Sequence, residues 1–285
     1  MTLSIAHLGP PGTYAEQAAL AYLDLHSTPS TTLRPYASIA RTIQSTAQGE
    51  THLTIAPIEN SIEGSVATTL DTLWQCSDLQ IRQALVLPIR HVLIAQTPNL
   101  QKIKAVYSHP QALGQCQRWL ATNLPQTTAI ATNSTTEALQ YVQADPSAAA
   151  ISSERAAQLY ELPIVQRTIQ DHPDNCTRFW VINQQKTADL PPVIETDQTY
   201  TSLAFSLPAN QPGALLKTLQ IFAERSINLS RIESRPSRRS MGDYVFFIDA
   251  EISAEQTTFH SALEQLQAST EVLKSFGSYP LVTIS

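Results

Sequence analysis

The sequence predicts an α/β protein in two units: a larger one of alternating strands and helices, then a smaller one in the order βαββαβ. Three features lead there. Short aliphatic and β-branched runs alternate with amphipathic stretches of helical period as far as Ile182. The alternation lapses from Gln184 to Thr199, where polar residues and Pro191-Pro192 read as a linker. Regular patterning then resumes. The units are placed at 1–184 and 200–285, with the linker at 185–199.

In the first unit strands are expected at Ser4–Leu8, Leu53–Ile58, His91–Ala95, Lys104–Tyr107, Thr128–Ala131, Ala148–Ile151 and Phe179–Ile182. Helices are expected at Tyr14–Leu25, Ile39–Thr46, Val66–Trp74, Gln111–Asn123, Thr135–Gln143 and Ser153–Tyr160. Such alternation builds a sheet with helices on its faces. Thr13 with Glu16, Ser108 with Gln111, and Ser134 with Glu137 have capping-box spacing. The first two directly follow strands. They point helix N-termini, which favour anions, toward the strand carboxyl ends where open α/β sheets bind ligands. In the second unit, strands are expected at Thr201–Leu207, Asn228–Ser234, Tyr244–Glu251 and Val272–Phe276. Helices fall at Gly213–Ser226, with Leu215, Leu216, Leu219, Phe222 and Ala223 on one face, and at Glu255–Ala268. That order is ferredoxin-like.

Composition narrows the function. A chain of 285 residues, 42% hydrophobic and 15% charged, suits two cored domains. The net charge of -6 and the lack of a Lys/Arg block argue against a nucleic-acid partner. There is no leader-like N-terminus and no apolar run near the roughly 20 residues that cross a bilayer, so no membrane role and a cytoplasmic location are expected. Cys76, Cys116 and Cys176 are odd in number and widely spaced, which argues against a disulfide framework and a zinc site.

Four segments stand out: GPPGTYAEQAA at Gly9–Ala19, PIENSIEGSV at Pro57–Val66, YSHPQALGQC at Tyr107–Cys116 and NCTRFWVI at Asn175–Ile182. In this order and at these separations they resemble the prephenate dehydratases and the related arogenate dehydratases. The segment GALLKTLQIFAERSINLSRIESRP, Gly213–Pro236, is similar to the regulatory ACT domain of the same enzymes. The resemblance implies a two-lobed, periplasmic-binding-protein-like catalytic domain whose motif loops line a cleft. It implies loss of water and carbon dioxide from prephenate to give phenylpyruvate, with no cofactor and no metal. It also implies inhibition by L-phenylalanine through the ACT domain, and a homodimer or homotetramer. The chain is expected to lack the helical extension that carries chorismate mutase in fused relatives.

Roles follow from the same resemblance. Thr177 matches the threonine held to assist departure of the hydroxyl. A threonine hydroxyl is too weak an acid to give up its proton alone, so it is read as a polarising donor that accepts from a neighbour. Arg178 orients a carboxylate or braces the loop; the plain alternative is a salt bridge at the start of a strand favoured by Thr177 and Phe179. Glu59 holds a hydrogen-bond network or affects protonation of the site. Asn60 and Ser61 offer donors, and Ser65 caps the next helix or reaches the ligand; the alternative is simply a capped loop. Ser108, His109, Gln111 and Gln115 form a third wall. Ser108 and Gln111 read equally as N-cap and box partner, with Gln115 a turn further along the same face. His109, beside the expected cap, is ranked below Thr177, Ser108 and Gln115. Thr13 and Tyr14 complete the first wall or serve as cap and staple, while Asn175 and Phe179 flank Thr177. Gly213, Ala214 and Leu215, with Asn228 and Glu233-Ser234-Arg235-Pro236, line a phenylalanine pocket at a subunit interface, or else form an ordinary turn and strand end. Two other readings stay open. One is arogenate dehydratase, whose substrate carries an amine in place of the keto group. The other is a non-catalytic amino-acid sensor, which would not need Thr177.

Overall fold

A computed structural model of the chain describes residues 2–27, 30–252 and 256–284. Two sheets organise it. The larger has ten strands among the described residues. Its first half runs Thr31–Tyr36, Leu3–Leu8, Leu53–Asn60, Cys176–Gln184, Leu79–Pro88. The smaller runs Ile164–Gln166, Val92–Ala95, Ala148–Ser152, Ala105–Ser108, Thr128–Ala131. The chain leaves the first lobe after Pro88 and returns at Cys176. Two crossings between two lobes leave a cleft.

Each lobe is a covered sheet, as the alternation requires. In the second lobe Val92 and Ile94 pack with Leu139 and Val142 on one face, while Leu93 and Ala95 pack with Ile103 and Val106 on the other. In the first, Ile55, Leu87, Phe179 and Val181 meet the helix Tyr14–His26. Ile58, Ile81, Trp180 and Ile182 face the opposite way, toward the helices Ile39–Ala47 and Ala67–Gln75.

The larger sheet does not stop at the first lobe. Val272–Thr283 pairs antiparallel with Thr199–Ser206 and then parallel with Leu79–Pro88, through Leu281↔Ala84, Val282↔Leu85 and Thr283↔Val86. Tyr244–Ile252 and Leu229–Pro236 complete it. One face of this C-terminal sheet carries the helices Ala214–Ala223 and Gln256–Ser269 over Leu203, Phe205 and Ile248. The other face, with Val245, Phe247 and Tyr279, packs against Leu70, Leu73 and Trp180.

Several expectations are corrected. Thr31–Tyr36, Leu79–Pro88 and Ile164–Gln166 are strands that patterning missed. Leu79–Pro88 carries Arg82 and Gln83 inside an apolar run, which hides its period. The helix expected over Gln111–Asn123 divides into Pro110–Gln115 and Gln117–Asn123. The second piece has its own distant cap: Arg118 and Trp119 N–H donate to the Asp171 carboxylate at 2.9 and 3.2 Å. The helix expected from Thr135 begins at Ala138, after a turn. The last strand continues past Phe276 to Thr283, with Gly277 (φ +87°) where its register shifts. Glu255, the expected start of the final helix, lies outside the described residues.

Candidate active site

A cleft of about 950 Å³ lies between the two lobes. The first motif supplies one wall. Gly12 (φ +89°) lets the chain turn against the second lobe, where an added Cβ would sit 3.2 Å from Ala156 Cβ. Ser153 of that lobe donates to Gly12 O at 2.8 Å. Thr13 caps the helix Tyr14–His26, accepting from Glu16 N–H at 3.4 Å and donating to Leu8 O at 2.9 Å. Glu16 answers on Gly12 N–H at 2.7 Å. Tyr14 lines the cleft, and its hydroxyl reaches Arg90 O (2.8 Å) and His91 Nδ1 (2.9 Å). Burial pushes its phenol well above the ordinary value.

The strand Cys176–Gln184 supplies the floor. Successive side chains on a strand point to opposite faces. Thr177 and Phe179 therefore line the cleft, while Arg178 and Trp180 face the C-terminal domain. Asn60 Nδ2 donates to Thr177 Oγ1 at 2.9 Å and to Asn175 Oδ1 at 2.9 Å. Asn60 Oδ1 is held by Ile62 and Glu63 N–H, each at 3.1 Å. Asn175 Nδ2 donates to Gln115 Oε1 at 2.9 Å, and the same oxygen lies 2.9 Å from His91 Nε2. One hydrogen-bonded chain thus joins Tyr14, His91, Gln115, Asn175, Asn60 and Thr177. Gln115 Nε2 is buried without a protein partner.

Other expected residues sit elsewhere. Glu59 and Arg178 do not line the cleft: their side chains pair with each other at 3.2 Å, and Arg178 goes on to Asp249 at 3.4 Å. Ser61 and Asn175 stand one bond behind the lining, where Ser61 donates to Asn175 Oδ1 at 3.2 Å. Ser65 is exposed on the two-residue strand Gly64–Ser65 and caps nothing; Val66 is the N-cap of Ala67–Gln75 and makes no side-chain bond there. Ser108 is not an N-cap. It ends a strand, buried, and donates to Ile151 O at 2.6 Å. His109 is the N-cap, taking Gln111 N–H at 3.3 Å, with Pro110 in the first turn. His109 lines the cleft, as does Gln111.

His91 is among the lining residues that sequence reading missed. It is buried at the head of the apolar strand Val92–Ala95, and its only local mark is a polar side chain in an apolar run. Burial lowers its pKa, against the opposing pull of the Gln115 bond. Among the described residues lining the cleft, Glu137 is the one carboxylate, and no lysine or arginine is present. Among the described residues no cluster of His, Cys, Asp and Glu is placed to hold a metal, and no helix is long and apolar enough to cross a membrane.

The C-terminal domain has a cavity of about 430 Å³ lined by Gly213, Ala214 and Leu215 together with Leu207, Asn210 and Phe246. The rest of that expected set lies away from it. Asn228 borders a separate cavity of about 380 Å³ at the opposite end of its strand. Arg235 forks onto Asp71 of the helix Ala67–Gln75 at 3.0 and 3.2 Å, and Arg238 joins it at 2.7 Å. Glu233 lies 3.8 Å from Arg231, while Ser234 and Pro236 are exposed on the sheet's outer strand.

Comparison with known proteins agrees with this architecture. The prephenate dehydratase family matches residues 5–187, and the ACT domain family matches residues 201–268. The bifunctional chorismate mutase/prephenate dehydratase of Aquifex aeolicus is 40% identical over 280 residues, which span 98% of this chain and 74% of that protein. The prephenate dehydratase of Lactococcus lactis subsp. cremoris is 36% identical over 287 residues, 99% of both chains. The crystal structure of the Arthrobacter aurescens prephenate dehydratase in complex with L-Phe superposes with a TM-score of 0.87 at 32% identity, covering 98% of this chain and 90% of that one. A periplasmic-binding-protein-like pair of lobes with these four motifs, joined to a βαββαβ domain, places the chain in the prephenate dehydratase family, with a C-terminal ACT domain.

Proposed function

We propose that the protein converts prephenate to phenylpyruvate, water and carbon dioxide, under feedback control by L-phenylalanine. The observation that carries the reading is Thr177 Oγ1 in the cleft with Asn60 Nδ2 donating to it. That bond occupies an acceptor site on the hydroxyl and leaves its proton free to be donated. A ligand's departing hydroxyl beside Thr177 receives that hydrogen bond. In the reaction, the bond from the ring to its carboxylate breaks and the electron pair flows through the diene as the ring aromatises. The carbon–oxygen bond opens in that same electron flow, and the departing oxygen takes up a proton from the medium to become water. Aromatisation drives this, so the protein has only to position and polarise.

The lining suits the second requirement, a ring carboxylate held without strong solvation. With no lysine or arginine lining the cleft among the described residues, a carboxylate there meets neutral donors such as Gln115 Nε2 and the N-terminal turn of Tyr14–His26. An ion pair would oppose loss of carbon dioxide by stabilising the charge that is lost.

The arogenate reading has one observation in its favour: Glu137 offers the lining a carboxylate that an ammonium could meet. That carboxylate already accepts from Asn133 N–H at 2.9 Å, which weighs against it. For the regulatory half, support comes from the cavity at Gly213–Leu215 and from the L-Phe complex of the Arthrobacter protein. An uncovered outer strand, Leu229–Pro236, with Ile232 exposed, supports a homo-oligomer. The test is turnover of prephenate and arogenate in parallel, with and without phenylalanine. Phenylpyruvate formation suppressed by phenylalanine supports the whole reading. Product from arogenate alone changes the substrate, and product from neither leaves an amino-acid sensor.

A further inference from the structure

We infer that His91 is a positioning residue of this site: its Nε2–H and Asn175 Nδ2–H together hold Gln115 Oε1 and so present Gln115 Nε2 to the ligand. The argument starts from the backbone. Ile62 and Glu63 N–H both end on Asn60 Oδ1, so the other end of that carboxamide is the donor. It donates to Asn175 Oδ1, which makes Asn175 Nδ2 a donor in turn, and that group ends on Gln115 Oε1. Each amide hands its polarity to the next. The atom facing His91 is therefore a carbonyl oxygen, an acceptor only, and His91 Nε2 must carry hydrogen. Burial keeps the ring neutral, so Nδ1 is bare, and the single Tyr14 Oη–H proton, 2.9 Å from Nδ1 and 2.8 Å from Arg90 O, is assigned to Nδ1. The backbone N–H of His91, donating to Gln170 Oε1 at 3.1 Å, holds the ring's root in place.

The consequence lies at Gln115. Both acceptor sites of Oε1 are used, and turning the carboxamide over would set its NH₂ against two donors. The alternative orientation is excluded before a ligand arrives. Nε2, buried and without a protein partner on a residue that lines the cleft, stays the amide's unspent donor for an acceptor that enters there. Without His91 only Asn175 opposes the flip, and the donor is lost for part of the time. His91 thus acts through Gln115.

The inference uses the dehydratase reading only where it is tested by rate; its second arm does not depend on activity. In the full-length protein, His91→Leu should lower kcat/KM for prephenate by about ten- to a hundredfold, as for a lost hydrogen bond to a charged group. His91→Gln, which can place an N–H where Nε2 was, should restore most of that. In a Gln115→Leu background, His91→Leu should change the rate by less than about twofold, since coupled residues do not add. A folded His91→Leu protein with normal rate, no recovery in His91→Gln, or full additivity with Gln115→Leu would each overturn the assignment. The second arm is the ring ¹⁵N spectrum of labelled protein at neutral pH, with His91 assigned by its loss in His91→Gln. The Nε2–H tautomer is expected. The Nδ1–H tautomer, or an imidazolium, overturns the inference even if prephenate proves to be the wrong substrate.

Discussion

Arg178 Nη1 lies 3.4 Å from Asp249 Oδ2, so the side chain next to Thr177 is an ion-pair partner of the ACT domain. Asp249 is fully buried and also takes both arms of Arg231, at 2.8 and 3.0 Å, and the Ser202 hydroxyl at 2.6 Å. Arg231 lies over the Trp180 ring, 5.3 Å from its centroid. One strand therefore presents Thr177 to the cleft and Arg178 to the ACT domain.

Removing the carboxylate from that network should be costly. Asp249→Ala leaves the buried Arg231 guanidinium with Glu233, at 3.8 Å, as its remaining carboxylate, and a broken buried pair typically costs about 3–5 kcal/mol. Urea unfolding of the variant measures it. A loss below about 1 kcal/mol would mean that water reaches Arg231 and the network is not closed.

Thr177→Val keeps a β-branched side chain in the strand and removes the donor. The expected result is a loss of about a hundredfold or more in kcat, with melting unchanged within a few degrees. Steady-state turnover beside a thermal melt tests it. Near-normal rates would take the threonine out of the mechanism.

Gly12→Ala strains a left-handed residue and pushes a methyl to 3.2 Å from Ala156 Cβ across the two lobes. A cost of about 1–3 kcal/mol is expected, together with a raised KM as the lobes are wedged apart. A stability and KM equal to wild type would show that the lobes yield at this contact.

Stability should fall on mild acidification. Burial lowers the pKa of His7, His26 and His91 from the ordinary 6.5. A lowered value means the unfolded chain binds protons that the folded one refuses. Stability is complete above 6.5, declines as pH drops below it, and stops declining once pH passes the lowered folded values. Urea midpoints taken from about pH 8 to about pH 5 read the slope, and His91→Gln should make it shallower. A flat profile would mean that these imidazoles titrate normally when folded.

Much of this site was legible locally, and its misreadings have physical causes. Thr13 as a cap follows from spacing alone. Ser108 was misread because the Ser-x-x-Gln spacing outweighed Pro110, whose preference for the first helical turn makes His109 the cap. Glu59 and Arg178 entered the candidate site through their motifs alone, and both faces of Cys176–Gln184 are buried, Phe179 in one core and Trp180 in another. A strand apolar on both sides does not say which side meets the ligand.

Local periodicity and turn chemistry were enough to set out the α/β alternation and the βαββαβ order, and the four segments that meet at the cleft were legible as a family resemblance. The tertiary structure alone decided that the last strand spans both domains, that Arg178 pairs with the ACT domain, and that an ordered chain of amides runs from His91 to Thr177. Its links join residues 24, 60 and 117 positions apart. The direction of such a bond depends on which donor arrives from across the fold, and no pattern of neighbouring residues carries that.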